Sequence, residues 1–444
     1  MLMGLSKGAN FGGSIPAILF NIPGTPQAMI TTFDGYPLAK SGKSGKALKT
    51  ALFASVTADT ASDLVLIFLA APVAAVALHI GPPEYSMILL FSLVIISLAA
   101  SGSPCRGLIA TCLGLLLSTV GCDPEMGTPR FNFGFIELTE GIGIMPMAIG
   151  LLAFSEVLLQ AESWYRDRRS GKKLEEVRLS AKGTDDDKIT PAEMKQCLPT
   201  IARSTIIGSF VGIVPGIGTT VGAYLSYIWS KKKSKHPEMF GKGALEGIAA
   251  SEAGNNAVNG PNLVPLVTLG IPGNLAAALI LGGFMIKGLI PGPQFMESNA
   301  PCSTPCSSFC SSATSTRWLW GGAFIRCARK LVSIPKPVLF SVVPMFCLIG
   351  SYVNNSSLFD IWLMLVFGVL GYVLTKLKIS LPTLIVAFFL GSLLEHKMRQ
   401  SLLISRGDWT IFLNRPIACA FLLLTVAIIL LYIVRHGFGK KKHA

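Results

Sequence analysis

The stretch IPAILFNIPGTPQAM, Ile15 to Met29, sets three prolines and a glycine inside a run of apolar residues. The apolar run reads as a helix, but Pro23, Gly24 and Pro26 interrupt it. Proline removes a backbone donor and clashes with the preceding turn, and glycine favours departures from helical geometry. A second stretch, VPLVTLGIPGNLAAA from Val264 to Ala278, repeats the device. Pro16 aligns with Pro265 and Ile22-Pro23-Gly24 with Ile271-Pro272-Gly273, with apolar positions between, and GYPLAKSG from Gly35 resembles GFMIKG from Gly283. Two interrupted apolar segments in corresponding places mark a chain built from two related halves.

The surroundings of these breaks identify the solvent. Of 444 residues, 51% are hydrophobic and only 14% charged, and the mean hydropathy is +0.57, too apolar for a soluble domain of this size. Windows long enough to span hydrocarbon as helices run over 47–78, 85–100, 107–120, 142–159, 334–353, 361–374, 384–394 and 417–434. Ten-residue alternating strands are absent, which argues against an outer-membrane barrel. The expected fold is therefore an all-α polytopic membrane protein.

The net charge of +14 lies in the connecting segments, so it reads as topology rather than as a nucleic-acid surface. No charged n-region followed by an apolar core marks a cleavable signal at the start. The ten cysteines form no CxxC pair, and several sit in apolar runs as small hydrophobes. There is no Walker motif and no nucleophile–base pair spaced for hydrolysis, so neither an enzyme nor a cofactor is expected.

Lys40, Lys43, Lys46 and Lys49 precede the first long span, and the largest polar segment, Glu162 to Lys195, is rich in Arg and Lys. Both are expected in the cytoplasm, with four crossings between them. Counting back from RHGFGKKKH at the terminus, through Lys376, Lys378 and Arg326 to Lys330, gives the same orientation. The segment Cys197 to Ser230 is flanked by basic sequence on both sides, yet its roughly 33 residues cannot hold two crossings of about 20 each. It is expected to enter and leave on one side as a re-entrant hairpin with VPGIGTT, Val214 to Thr220, at its tip; the alternative is a single Pro-kinked span.

A broken helix offers N–H groups that hold anions and carbonyls that hold cations, and both are tolerated at membrane depth only around a protein-lined cavity. Polar residues gather at these breaks. The expected anion-binding set is Asn21, Gly24, Thr25, Gly218, Thr219, Thr220, Asn255, Asn256, Gly273 and Asn274. Glu252, next to Asn255, Asn256 and Asn259, is a candidate for cation coupling. So are Asp59 and Asp63, four apart in the first long span, unless they lie near the interface or cap a distorted helix. Asp34 in FDGYP is another, with an Asp-Gly turn as the plainer account.

The motifs GGSIPAILFNIPGTPQAMITTFDGYPLAKSGKSGKAL from Gly12, GIVPGIGTTVGAYLSY from Gly212 and FGKGALEGIAASEAGNNAVNGPNLVPLVTLGIPGN from Phe240 resemble the large membrane subunit of tripartite tricarboxylate transporters, the TctA family. The likeness continues through NNSSLFD at Asn354 and GDWTIFLNRPI at Gly407. The resemblance implies a bacterial inner-membrane permease for tricarboxylates or related carboxylates. It also implies a small four-helix membrane subunit, a periplasmic binding protein, and coupling to Na⁺ or H⁺. The repeats are expected to be inverted.

Two departures stand out. The family has an earlier PG-containing hairpin ahead of the GGSI motif, and here only eleven residues precede Gly12, so the first repeat is expected to lack its opening part. Glu297 to Arg326, a Ser-rich stretch holding Cys302, Cys306 and Cys310, stands where the family has an apolar span, and it reads as out-of-frame sequence. The expected organisation is a first transmembrane half over 1–161, a cytoplasmic linker over 162–196, the second-repeat hairpin and binding motif over 197–296, the aberrant segment over 297–326 and C-terminal helices over 327–444. The rival readings are a non-functional remnant of such a permease and an ion channel.

Overall fold

The computed structural model of the chain describes residues 2–21, 23–77, 79–99, 104–123, 126–169, 189–214, 218–289, 291–292 and 336–437. The Ser/Cys-rich stretch 297–326 and the hairpin tip at 215–217 lie outside the described residues. The helices, in order, are α1 (Leu2–Phe20), α2 (Ala28–Leu38), α3 (Ser44–Ala77), α4 (Pro82–Ala99), α5 (Pro104–Ser118), α6 (Ile144–Ala148) and α7 (Ser155–Arg169). They continue with α8 (Pro191–Ile213), α9 (Gly218–Lys233), α10 (Leu245–Asn256), α11 (Asn259–Leu269), α12 (Leu275–Ile286), α13 (Lys336–Asn355), α14 (Leu358–Lys376), α15 (Leu381–Ile404), α16 (Ile411–Asn414) and α17 (Pro416–Gly437). One wide π turn joins α2 to α3 and another joins α6 to α7. Among the described residues the only strands are Gly121–Cys122 and Pro129–Arg130, paired antiparallel.

The apolar windows read from sequence fall on helices, and the fold is an all-α, multi-pass membrane architecture. Four helical stretches, Ala28–Val76, Ile144–Arg166, Leu358–Lys376 and Leu381–Ile404, are long and apolar enough to cross a bilayer. Large apolar side chains on their outer faces are left uncovered, among them Phe68 and Trp362 at 73% and 68% exposure, as suits surfaces that meet acyl chains rather than water.

The chain forms two compact units, each from two separated stretches: Met1–Ala75 with Ala161–Val342, and Val76–Gln160 with Val343–Ala444. In the first unit α10 is buried from Gly247 to Asn256 and packs against α2, α8 and α9. Glycines let the backbones meet: a Cβ on Gly208 would fall 2.6 Å from the Gly254 carbonyl, and one on Gly212 2.7 Å from that of Val258. This small-residue packing is the usual means of helix association where no water drives it. Helix α8 packs along α9, with the Ser226 hydroxyl donating to the Ser204 carbonyl at 3.4 Å. With 16 residues, α9 is about 24 Å long, short of a hydrocarbon core of about 30 Å.

Thr190 and Glu193 make a capping box at the head of α8. Lys46 on α3 donates to Glu193 Oε1 at 2.8 Å. That bond, with the Thr190 N–H, holds the Glu193 carboxyl below its ordinary value. In the second unit α15 packs on α4 and α5, with Gly114 seated against the Leu384 backbone. Arg130 and Arg399 bridge Glu395 and Asp123 there at 2.7–3.5 Å.

Candidate functional site

Both sequence breaks are helix breaks. Helix α1 ends at Phe20, and Asn21 takes a left-handed conformation, φ 56°. Helix α11 ends at Leu269, and Gly270 does the same, φ 63°. These two residues occupy equivalent positions in the aligned stretches, so the repeat extends to the backbone state of the terminating residue. Left-handed Gly270 lets its own N–H reach the Leu266 carbonyl at 2.9 Å and that of Ile271 reach Pro265 at 3.1 Å, satisfying carbonyls that the helix end would orphan. After the second break, Asn274 caps α12 by accepting the Ala277 N–H at 2.9 Å. After the first, Gln27 makes no cap, and the Gly24 N–H turns back to the Gly13 carbonyl at 3.0 Å.

Beside the second break lies a pocket lined by Met3, Ser6 and Lys7 of α1, Asn259, Asn262 and Leu263 of α11, and Asn274, Ala276, Ala277 and Ile280 at the head of α12. It is a small, partly open cleft whose enclosed volume is about 20 Å³, room for about one water. The wall offers an ammonium, a hydroxyl, three amides and a helix N-terminus, a donor set that suits a carboxylate. Asn262 is 4% exposed and lines the pocket.

Lys7 also faces inward. Its Nζ lies 2.5 Å from Asp63 Oδ1 and 3.2 Å from Asp59 Oδ2, all three side chains buried. Asn259 Nδ2 donates to Asp59 Oδ1 at 3.3 Å, Asn10 Nδ2 to Asn259 Oδ1 at 2.8 Å, and Gln27 Nε2 to Asn10 Oδ1 at 2.7 Å. A polar path thus runs from the head of the helix after the first break to the pocket beside the second.

One to two turns earlier on α10, Glu252 gathers hydroxyls. Ser14 and Thr31 donate to Oε1 at 2.6 and 2.5 Å, and Ser55 to Oε2 at 2.9 Å. Asn256 Nδ2 donates to Ser55 Oγ and to the Glu252 carbonyl, each at 3.0 Å, while its Oδ1 has no partner among the described residues. Neighbouring Asn255 is 1% exposed, and neither polar atom of its amide has a partner among the described residues. Leaving a buried amide unsatisfied costs about 1–3 kcal/mol per group, so an arrangement of this kind calls for a ligand role or an equivalent compensation.

The sequence-selected residues divide accordingly. Asn274 lines the pocket, Asn255 and Asn256 lie with Glu252, and Asp59 and Asp63 meet on Lys7. Gly273 is buried in the second break, whereas Asn21 and Gly24 are exposed and Thr25 packs its side chain against Gly13. Gly218, Thr219 and Thr220 open α9, partly to fully exposed, and line neither group. Asp34 is not in an Asp-Gly turn, because α2 continues through it. Its Oδ1 accepts the N–H groups of Gly241, Gly243 and Ala244 at 2.8–2.9 Å, and its Oδ2 the Tyr227 hydroxyl at 2.8 Å. With those acceptor positions used, Asp34 clamps the loop ahead of α10.

Sequence reasoning does not single out Lys7, Ser6, Asn10, Asn262, Ser14, Thr31 or Ser55. Lys7, Asn10 and Ser14 stand three and four apart, so a polar stripe on α1 was the available signal.

A helical multi-pass membrane protein with interrupted helices around a buried polar core is the class that fold and site define. Comparison with known sequences makes it specific. The chain matches the tripartite tricarboxylate transporter TctA family over residues 1–386 and belongs to that family. It is 37% identical over 434 residues to an uncharacterized 52.8 kDa protein of the TAR-I ttuC′ 3′ region of Agrobacterium vitis, covering 97% of this chain and 84% of the relative. It is also 36% identical over 224 residues to an uncharacterized protein of the TAR-II ttuC′ 3′ region of the same organism, covering 50% of this chain and 93% of the relative. No solved structure matches. The chain is thus a component of a tripartite tricarboxylate transporter.

Proposed function

We propose that the chain is the permease subunit of a secondary transporter that takes up tricarboxylates or related carboxylates with a cation, Na⁺ or H⁺. Its partners are a periplasmic substrate-binding protein and a small four-helix membrane subunit, and its place is the bacterial inner membrane. The observation that carries this reading is the buried polar core of the first unit. There Glu252, with three hydroxyl donors, lies beside two asparagines with unmatched amide atoms, one to two helical turns from a pocket whose donors suit a carboxylate. The anion is assigned to Lys7, Ser6, Asn262, Asn274 and the head of α12. The cation is assigned to Glu252 with the Asn255 and Asn256 oxygens, and the Asp59–Asp63 pair belongs to the same coupling apparatus. The two breaks are read as members of inverted repeats.

The test is uptake of a panel of radiolabelled di- and tricarboxylates into vesicles holding this chain and its small subunit, supplied with the binding protein. The expected outcome is saturable uptake that requires a Na⁺ or proton gradient and falls more than about tenfold in Glu252→Gln, given roughly 1.5–3 kcal/mol for hydrogen bonds to a charged group. Flux without saturation or coupling would identify a channel instead. Absence of any flux would identify a remnant.

A further inference from the structure

Lys7 is held in two relations at once. Its ammonium sits between Asp59 and Asp63 at 3.2 and 2.5 Å, and the same side chain lines the pocket with Asn262 and Asn274. Two carboxylates against one ammonium keep the positive charge turned away from any anion in the pocket. An anion gains the full attraction of Lys7 only when something else neutralises the pair. A single proton leaves one carboxylate to hold the ammonium, whereas a metal cation seated where the ammonium lies meets both. Asn262, 4% exposed, lines the pocket side of this exchange together with Lys7.

We infer that Asp59 and Asp63 form a sodium site whose occupant in this structure is the Lys7 ammonium, and that sodium entering the pair releases Lys7 to the substrate carboxylate. No bond is made or broken covalently, and charge is conserved because the ammonium exchanges one anionic partner for another as sodium arrives. The inference rests on the pocket being the anion site. It supplies the step by which cation and anion become obligatory for one another: each ligand binds better when the other is present, by the same factor.

Binding of ²²Na⁺ to the full-length chain in lipid nanodiscs tests it without any carboxylate. Lys7→Met removes the internal competitor, so sodium affinity rises by about tenfold or more if the ammonium occupies the pair at least nine-tenths of the time. Lys7→Arg keeps the charge and leaves affinity within about twofold on the same grounds. Adding Asp63→Asn to Lys7→Met removes the gain. A defect in folding cannot produce tighter binding, so a gain is informative in itself. Should Lys7→Met not remain monodisperse, Asp63→Asn alone lowers the saturating ²²Na⁺ stoichiometry by one. No gain in a well-behaved Lys7→Met chain, a gain that survives Asp63→Asn, or an unchanged stoichiometry would overturn the exchange. Coupled uptake in vesicles without the gain defeats this inference alone, and the gain without uptake defeats the transport reading alone.

Discussion

The two helix breaks begin from nearly the same sequence and end in different environments. Each stops a helix with a left-handed residue, Asn21 or Gly270, and in each the next three residues are Ile-Pro-Gly. The first then folds back on its own helix, where Gly24 lies against the Gly13 backbone and Thr25 against the Gly13 Cα, with Asn21, Pro23 and Gly24 exposed. The second is buried from Gly270 to Gly273 and leaves the N-terminus of α12 on the wall of a pocket. Proline and glycine therefore fix that a helix stops. What faces the opened backbone is decided by the neighbouring element, here α1 with Lys7.

Closure of the first break is most directly disrupted by Gly24→Ala. The added Cβ would meet the Gly13 Cα at 2.8 Å, a backbone contact that cannot swing aside. The expected cost is about 1–3 kcal/mol of stability, read as a lowered thermal midpoint in detergent. An unchanged midpoint would mean that the first break is not held shut. The functional asymmetry is tested next by the aligned pair Asn274 and Thr25. Asn274→Ala removes a cap and an amide from the pocket and should weaken carboxylate binding by about tenfold, from roughly 1–1.5 kcal/mol. Thr25→Ala should change it less than about twofold, since Thr25 packs against Gly13 of α1 and does not line the pocket. Equal losses would make the two breaks equivalent binding elements.

Exchanging the terminating residues gives a smaller effect of opposite sign at the two sites. Asn21→Gly should stabilise, and Gly270→Asn destabilise, each by up to about 1 kcal/mol, because a left-handed conformation penalises a residue with a Cβ. The same thermal assay reads both. The smallest effect lies downstream of the first break, where Lys46 ties α3 to Glu193 at the head of α8. Glu193 has a depressed pKa, so its contribution is complete above the unfolded value near 4.5 and is lost as pH falls through the lower folded value. Lys46→Met should therefore lower the midpoint at pH 7 by an amount corresponding to less than about 1 kcal/mol, and the gap to the unsubstituted chain should close on acidification.

The helices were legible because apolar runs, prolines and glycines act locally. The two breaks were legible to within a residue, at Asn21 and Gly270, since a break is a backbone event that short sequence specifies. The site was only partly legible. Glu252, Asp59 and Asp63 announce themselves as charges in apolar sequence, but Ser14, Thr31 and Ser55 look like ordinary small residues in membrane helices until three of them meet one carboxylate. Lys7 sits near the chain start and touches Asp63, 56 positions away; only tertiary packing joins them. Asp34 shows the converse. As a charge beside a motif it has the look of a ligand, and the fold uses it to bind backbone.

That last arrangement sets how firmly the site is framed. One carboxylate on α2 holds the phenol of Tyr227 on α9 together with three N–H groups of the loop that leads into α10. Four hydrogen bonds on a single side chain therefore tie the helix after the first break to the approach of the helix that carries Glu252. Ser55 on α3 fastens the same helix from the other side through Glu252 and Asn256, so α10 is gripped by both helices that flank the wide turn at Gly42.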